Sequence, residues 1–263
     1  MTVTIHDLSA WKQQGRRFVM LTAYDYPTGR ILDAAGVPVL LVGDSLGQTV
    51  LGYETTLPVT MEEMLHHTKA VSRGAKEALI VGDMPFLSYQ ASLEQGIANA
   101  GRFLKEAGAH AVKVEGAQTT LTEALSELGI PVMGHLGLTP QSVRGMGGYR
   151  VQGKTEEAAH RLLGDALSLE KAGAFAVVLE GIPRDLGRTI TSSLAVPTIG
   201  IGAGPGCDAQ VLALTDVLGL TDGRMPKFAR AYADLDGEIT RAATEFRRDV
   251  EEGAFPDDAH SYH

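Results

Sequence analysis

Four carboxylates occupy the same place in a repeated pattern. Val39-Leu40-Leu41-Val42-Gly43 runs into Asp44 and Ser45, and Ala78-Leu79-Ile80-Val81-Gly82 runs into Asp83. Ala111-Val112-Lys113-Val114 ends on Glu115, and Ala176-Val177-Val178-Leu179 ends on Glu180. Each is a short apolar run of the kind that forms a strand buried on both faces of a parallel sheet. An acid at the end of a buried strand is costly unless a cation or hydrogen bonds compensate it. One such acid reads as a helix cap or a loop anchor. The repetition asks for a shared counter-charge. His135 adds an imidazole at the end of a further run, Pro131-Val132-Met133-Gly134.

Carboxylates gathered closely repel and shift one another's pKa unless a cation sits among them. A set with no thiolate and at most one imidazole selects a hard, oxygen-loving ion, and Mg²⁺ is the expected one. Such a metal, held by two or three acids, suits a 2-oxo acid. The substrate's keto and carboxylate oxygens chelate the ion, which then stabilises the enolate formed when a base removes the adjacent C–H proton. Lys113 and Glu115 are two apart and face the same side of their strand. Two readings stand for Lys113, a substrate contact or a charge-balancing partner for the acids. Two also stand for His135, a hydrogen-bonded rim residue or a catalytic one.

The elements that must carry these residues follow from the pattern of the chain. Residues 4–14 read as a short helix capped by Thr4, with Ile5, Leu8 and Trp11 on one face. Strands are expected at 18–24, 39–42, 78–83, 111–115, 131–135, 174–180, 197–202 and 216–220, with helices between them and a short helix at 210–214. Asp25 reads as the cap of the second helix. Thr60-Met61-Glu62-Glu63 begins another with a capping box. His66 and His67 lie in that helix about 100° apart, which does not suit one metal.

Long loops are expected at 46–58 and 136–154, the second rich in glycine. Loops of that length in a compact domain usually carry function. Gly200-Ile201-Gly202-Ala203-Gly204-Pro205-Gly206 follows the seventh strand, where barrels often bind phosphate, although glycine there also serves a tight turn. A last helix, 235–250, carries Leu235, Ile239, Ala242, Phe246 and Val250 on one stripe. It is expected to pack on the domain exterior or on another subunit, with residues 256–263 frayed.

Eight strands alternating with helices over 263 residues imply an α/β fold, a (β/α)8 TIM barrel forming a single domain over 1–263. A doubly wound open sheet is the alternative. It is weakened by Tyr24-Asp25-Tyr26, which stands where a glycine-rich turn would follow the first strand. In a barrel the strand ends from the second to the sixth lie in one arc. Asp44, Asp83, Glu115, His135 and Glu180 would then share one rim.

A net charge of −9 and a pI near 5.4 argue against non-specific binding to nucleic acid or anionic membranes. The single cysteine, Cys207, excludes an internal disulfide framework and fits a reducing, cytoplasmic location. No signal-peptide pattern and no apolar run of membrane-spanning length is present in the sequence.

Several segments together resemble one family. They are Asp44-Ser45-Leu46-Gly47, Gly52-Tyr53, Pro58-Val59-Thr60, Asp83-Met84-Pro85-Phe86, Val112-Lys113-Val114-Glu115-Gly116, Gly134-His135-Leu136-Gly137-Leu138-Thr139-Pro140-Gln141, Gly148-Tyr149-Arg150-Val151-Gln152-Gly153-Lys154 and Thr198-Ile199-Gly200-Ile201-Gly202-Ala203-Gly204. In order and spacing, from about Thr22 to Tyr232, they are similar to the ketopantoate hydroxymethyltransferase family. The resemblance implies a barrel of the phosphoenolpyruvate-mutase/isocitrate-lyase kind, assembled as a homodecamer of two pentamers. It implies transfer of a one-carbon unit from 5,10-methylenetetrahydrofolate to 3-methyl-2-oxobutanoate, giving 2-dehydropantoate for pantothenate biosynthesis. It implies Mg²⁺ on Asp44 and Asp83 with Glu115 in support. Asp44, Ser45, Asp83, Lys113 and His135 would lie against the substrate, and Glu180 would be the proton acceptor. Gln48, Ala117 and Ala209 depart from the family pattern, where methionine, glycine and glycine are expected. None of the three is a proposed ligand or base.

Two other readings of the residues stay open at this level. One is a Mg²⁺-dependent C–C lyase or phosphonomutase on the same barrel. It is weakened, for lyases that use a thiol, by the lack of a strand-end cysteine. The other is a non-catalytic metabolite-binding barrel, against which the retained acid cluster argues.

Overall fold

The computed structural model describes every residue except Met1, Asp222 and Arg224. Its eight strands are short, and β2 to β7 are almost wholly buried: β1 (Phe18–Thr22), β2 (Val39–Val42), β3 (Leu79–Asp83), β4 (Ala111–Glu115), β5 (Val132–Gly137), β6 (Ala176–Glu180), β7 (Thr198–Ile201) and β8 (Ala209–Leu212). All pair in parallel in sequence order, and β8 returns to β1 through Phe18↔Ala209, closing the barrel. Parallel neighbours need crossovers, and these are largely helical: α2 (Tyr26–Ala34), α4 (Met61–Gly74), α5 (Leu93–Lys105), α6 (Thr119–Glu127), α7 (Glu156–Lys171) and α8 (Arg184–Ser193). The capping residues read from the sequence do that work. The Thr60 hydroxyl accepts from Glu63 N and the Glu63 side chain returns to Thr60 N, while Asp25 accepts from Thr28 N at 2.8 Å.

The barrel interior obeys the two-residue period of a strand. Met20, Val39, Leu41, Leu79, Val81, Ala111, Met133, Ala176, Val178, Ile199, Ala209 and Val211 form one buried cluster. The helix α1 (Ile5–Gln13) contributes Leu8 to it. Continuing the same faces upward gives Asp83 above Val81, Lys113 and Glu115 above Ala111, His135 above Met133, and Glu180 above Val178. The apolar layers thus carry the polar site on their C-terminal side. Outside β5, β6 and β7 a second cluster, including Leu136, Leu169, Val177, Leu179 and Ile190, seats α7 and α8.

The structure corrects the sequence reading at four places. The eighth strand is Ala209–Leu212, and the expected strand at 216–220 is instead a helical turn, α9 (Leu214–Leu218). Ala-Gln-Val-Leu has no clear strand signature. It is a strand because β7 and β1 offer it backbone partners on both sides, through Ile199↔Ala209 and Phe18↔Ala209. The expected loop at 46–58 begins with a helical turn, α3 (Leu46–Thr49). The chain also divides into two compact units, Met1–Ala213 and Leu214–His263, and all eight strands belong to the first. The barrel therefore ends before the expected boundary at 263.

In the second unit, α10 (Leu235–Glu251) has no buried residue, and Ile239, Phe246 and Val250 of its apolar stripe are exposed. The fourth correction lies here. The segment expected to fray holds a 3₁₀ turn, Asp258–His260, because the Asp257 side chain accepts from His260 N, and the His260 ring lies 5.3 Å from that of Phe255.

Candidate active site

Strand register decides which side chains meet at the C-terminal rim. Asp83 is the direct partner of Lys113 across β3 and β4, and Glu115 of His135 across β4 and β5. Lys113 Nζ donates to Asp83 Oδ1 at 2.6 Å and lies 3.8 Å from Glu115 Oε1. His135 stands between two acids, its Nδ1 3.3 Å from Glu115 Oε1 and its Nε2 3.2 Å from Glu180 Oε2. Neither His135 contact is aligned as a well-directed hydrogen bond. Asp44, two residues beyond the β2 strand end at Val42, gives its backbone N–H to Asp83 Oδ2 at 3.2 Å. The expected arc of Asp44, Asp83, Glu115, His135 and Glu180 is therefore one continuous cluster.

All of these groups are buried except Glu180, whose side chain keeps 17 % of its surface exposed. Burial is the largest single influence on the buried groups, and their neighbours decide where it is outweighed. It pushes Asp44 well above the usual carboxylate range, and the neighbouring Asp83 and Glu115 charges push it further. Burial also raises Asp83, although Lys113 opposes it. Glu115 moves the other way. Its burial is outweighed by contact with His135, by Lys113 and by the Gln141 N–H, and it is held below its ordinary value. Burial alone would neutralise Lys113, but Asp83, Glu115 and Asp44 hold it charged and raise its pKa. His135 is pushed down by burial and by Lys113. Glu115 and Glu180 outweigh both and raise it to about 9. The charge-balancing reading of Lys113 is therefore present in the geometry, and His135 is a buried cation between two carboxylates.

Ser45 sits at the start of α3, and its Oγ lies 2.9 Å from Tyr24 Oη. Tyr24 is buried, and its carbonyl contacts His67 Nδ1 at 2.6 Å, so His67 serves packing and the Tyr24 backbone. The strand-seven glycines serve close packing too. A Cβ on Gly204 would stand 2.5 Å from Arg184 Cβ of α8.

Two side chains of the cluster had no assignment from the sequence. Gln141, in a 3₁₀ turn (Pro140–Ser142) after β5, donates from Nε2 to Asp44 Oδ2 and from its backbone N to Glu115 Oε2, both at 2.9 Å. Tyr89 Oη donates to Gln141 Oε1 at 2.8 Å and accepts from Glu115 N at 3.1 Å. Gln141 closes one of the segments that carry the family resemblance, which gave it no role, and Tyr89 lies in none of them. Of the three departures from the family pattern, Ala209 is buried in β8, Ala117 follows the β4 rim, and Gln48 in α3 faces Tyr149 Oη at 3.5 Å.

A family model described as ketopantoate hydroxymethyltransferase matches residues 2–258. The chain belongs to that family. A 3-methyl-2-oxobutanoate hydroxymethyltransferase of Syntrophus aciditrophicus (strain SB) is 54 % identical over 263 residues, covering 99 % of this chain and 96 % of the relative. One of Thermoanaerobacter sp. (strain X514) is 53 % identical over 257 residues, covering 97 % and 94 %. Among solved structures, a 2,3-dimethylmalate lyase described as a PEP mutase/isocitrate lyase superfamily member superposes with a TM-score of 0.62 at 16 % identity, covering 99 % of this chain and 92 % of that one. That likeness is one of fold. Every acid of the rim cluster lies within the span that defines the family.

Proposed function

We propose that this chain transfers a hydroxymethyl unit from 5,10-methylenetetrahydrofolate to 3-methyl-2-oxobutanoate, forming 2-dehydropantoate in pantothenate biosynthesis. Membership of the family supports the reaction. The observation that carries the mechanism is the rim cluster, in which one partly exposed carboxylate, Glu180, adjoins a buried group of charges.

The donor set fits a divalent cation. Were Asp44, Asp83, Glu115 and Glu180 all ionised, Lys113 and His135 would leave the cluster two positive charges short, and the raised proton affinities of Asp44 and Asp83 reflect that want of a cation. Among the described residues no three His, Cys, Asp or Glu side chains form a ready cage for an ion. Mg²⁺ needs none, since it is commonly held by one or two carboxylates and completed by water and substrate oxygens. Asp44 and Asp83 would hold it and Glu115 would support it. Bound there, the ion supplies Lewis acidity that makes the C–H next to the keto group easier to ionise.

The chain's own groups then do the rest. Ser45 Oγ and Lys113 Nζ hold the carboxylate end of the oxo acid, with Asp83 and His135 lining the same space. Glu180 accepts the C3 proton, and His135 keeps that carboxylate in place. The C3 carbanion attacks the folate's methylene carbon. A C–C bond forms and both methylene–nitrogen bonds to the folate break, water supplying the hydroxyl group while its other proton and the one taken by Glu180 pass to the two folate nitrogens, so that tetrahydrofolate departs. A base and a substrate-binding group on neighbouring strand ends give deprotonation a direction.

The same reading carries cytoplasmic residence and a homodecamer of two pentamers, supported by the family and by a lone buried cysteine. Among the described residues no helix is long and apolar enough to cross a membrane. The test is product formation from 3-methyl-2-oxobutanoate and methylenetetrahydrofolate before and after chelation. Activity abolished by chelation and restored by Mg²⁺ supports the reading. Turnover of a 2-oxo acid that does not need the folate would instead favour a lyase or mutase.

A further inference from the structure

The amide of Gln141 is buried, and each of its polar atoms is engaged. Nε2 donates to Asp44 Oδ2 and to Met84 O, both at 2.9 Å, and Oε1 accepts from Tyr89 Oη at 2.8 Å and from Gln90 Nε2 at 3.2 Å. The orientation of the amide is decided by Tyr89. Because Tyr89 Oη accepts from Glu115 N, its single proton is left for Gln141, and the atom that receives it must be the amide oxygen. The NH₂ group is thereby turned toward Asp44. Asp44 Oδ2 carries this hydrogen bond, while Oδ1 has none among the described residues. The Gln141 backbone N–H simultaneously holds Glu115 Oε2.

We propose that Gln141, oriented by Tyr89, is a positioning residue for the cation site, occupying one oxygen of Asp44 so that the other is presented to the ion, and holding Glu115 in register with it. The inference rests on the metal reading given under Proposed function. Groups that orient a ligand in this way ordinarily contribute about 10–100-fold to metal affinity. A buried amide whose polar atoms are all engaged has few alternative arrangements, which limits those of the Asp44 oxygen it holds.

The test is binding of Mn²⁺ alone, followed by electron paramagnetic resonance and calorimetry. It compares the full chain with Gln141→Met, which keeps the length and removes the amide, and Tyr89→Phe, which removes only the hydroxyl. Melting in chelator reports folding separately. Folded Gln141→Met is expected to bind Mn²⁺ about 10–100-fold more weakly. Tyr89→Phe is expected to weaken binding by a smaller factor, with a broadened Mn²⁺ spectrum as Asp44 becomes less ordered. If Gln141→Met does not fold, Tyr89→Phe alone decides, weakened binding supporting the inference and unchanged binding overturning it. Folded variants that match the unaltered chain overturn the inference and leave the metal reading standing. An unaltered chain that binds no Mn²⁺ defeats the metal reading and this inference with it.

Discussion

His135 Nε2 lies 3.2 Å from Glu180 Oε2, joining the one partly exposed carboxylate of the cluster to its buried interior. The imidazole fixes where that carboxylate stands, and a base acts only from within reach of the proton it takes. Glu180→Gln keeps the shape and the neighbour but removes the basic oxygen. Proton exchange at C3 of 3-methyl-2-oxobutanoate, followed by deuterium uptake, is expected to fall about 10²–10⁴-fold, with oxo-acid binding within a few-fold of the unaltered chain. Exchange that survives the substitution would place the base elsewhere.

The same imidazole predicts a pH dependence of stability. Its pKa is raised from 6.5 to about 9, chiefly against burial, by Glu115 and Glu180. Below 6.5 the folded and unfolded chains are both protonated, and the contribution is complete. Between 6.5 and about 9 only the folded chain holds the proton, so the contribution declines as pH rises. Unfolding free energies measured in chelator for the unaltered chain and His135→Gln should converge over that interval. A constant difference from pH 6 to 10 would contradict the assignment.

Lys113 and Asp83 form a buried pair at 2.6 Å. Removing one partner strands the other's charge in the interior. Lys113→Met is expected to destabilise the metal-free chain by about 3–5 kcal/mol in urea unfolding. Replacing both, as Lys113→Met with Asp83→Leu, should recover a substantial part of that loss. Equal destabilisation by the single and double variants would show that the pair is not the cause.

Gly137 supports the β6 strand end that carries Glu180 through the side chain it lacks. Its φ is +93°, and a Cβ would stand 2.2 Å from the Glu180 carbonyl oxygen, which accepts from Leu138 N at 2.8 Å. Gly137→Ala is therefore expected to lose at least about 1–3 kcal/mol from backbone strain alone. It should also displace Glu180, lowering kcat more than it raises KM. A variant with unchanged melting and turnover would rule this out.

Much of the architecture is local information. Apolar runs of strand length ending in acids, the Thr4, Asp25 and Thr60 caps, and the strand–helix alternation are all written in neighbouring residues. That is why seven strands and the acidic rim could be read from the chain alone. The eighth strand could not. Ala209–Leu212 has no decisive periodicity of its own, and its pairing with β1 depends on residues nearly the whole chain away.

The chain alone determined which acids stand at strand ends, because strand end and apolar run are adjacent in sequence. Only the closed barrel decided that Lys113 answers Asp83 rather than Glu115, since that choice follows from the register of β3 on β4. Gln141 and Tyr89 belong to the same class. They come from separate loops, and a hydrogen bond across 52 positions of chain exists only once the strands beneath have set where those loops begin.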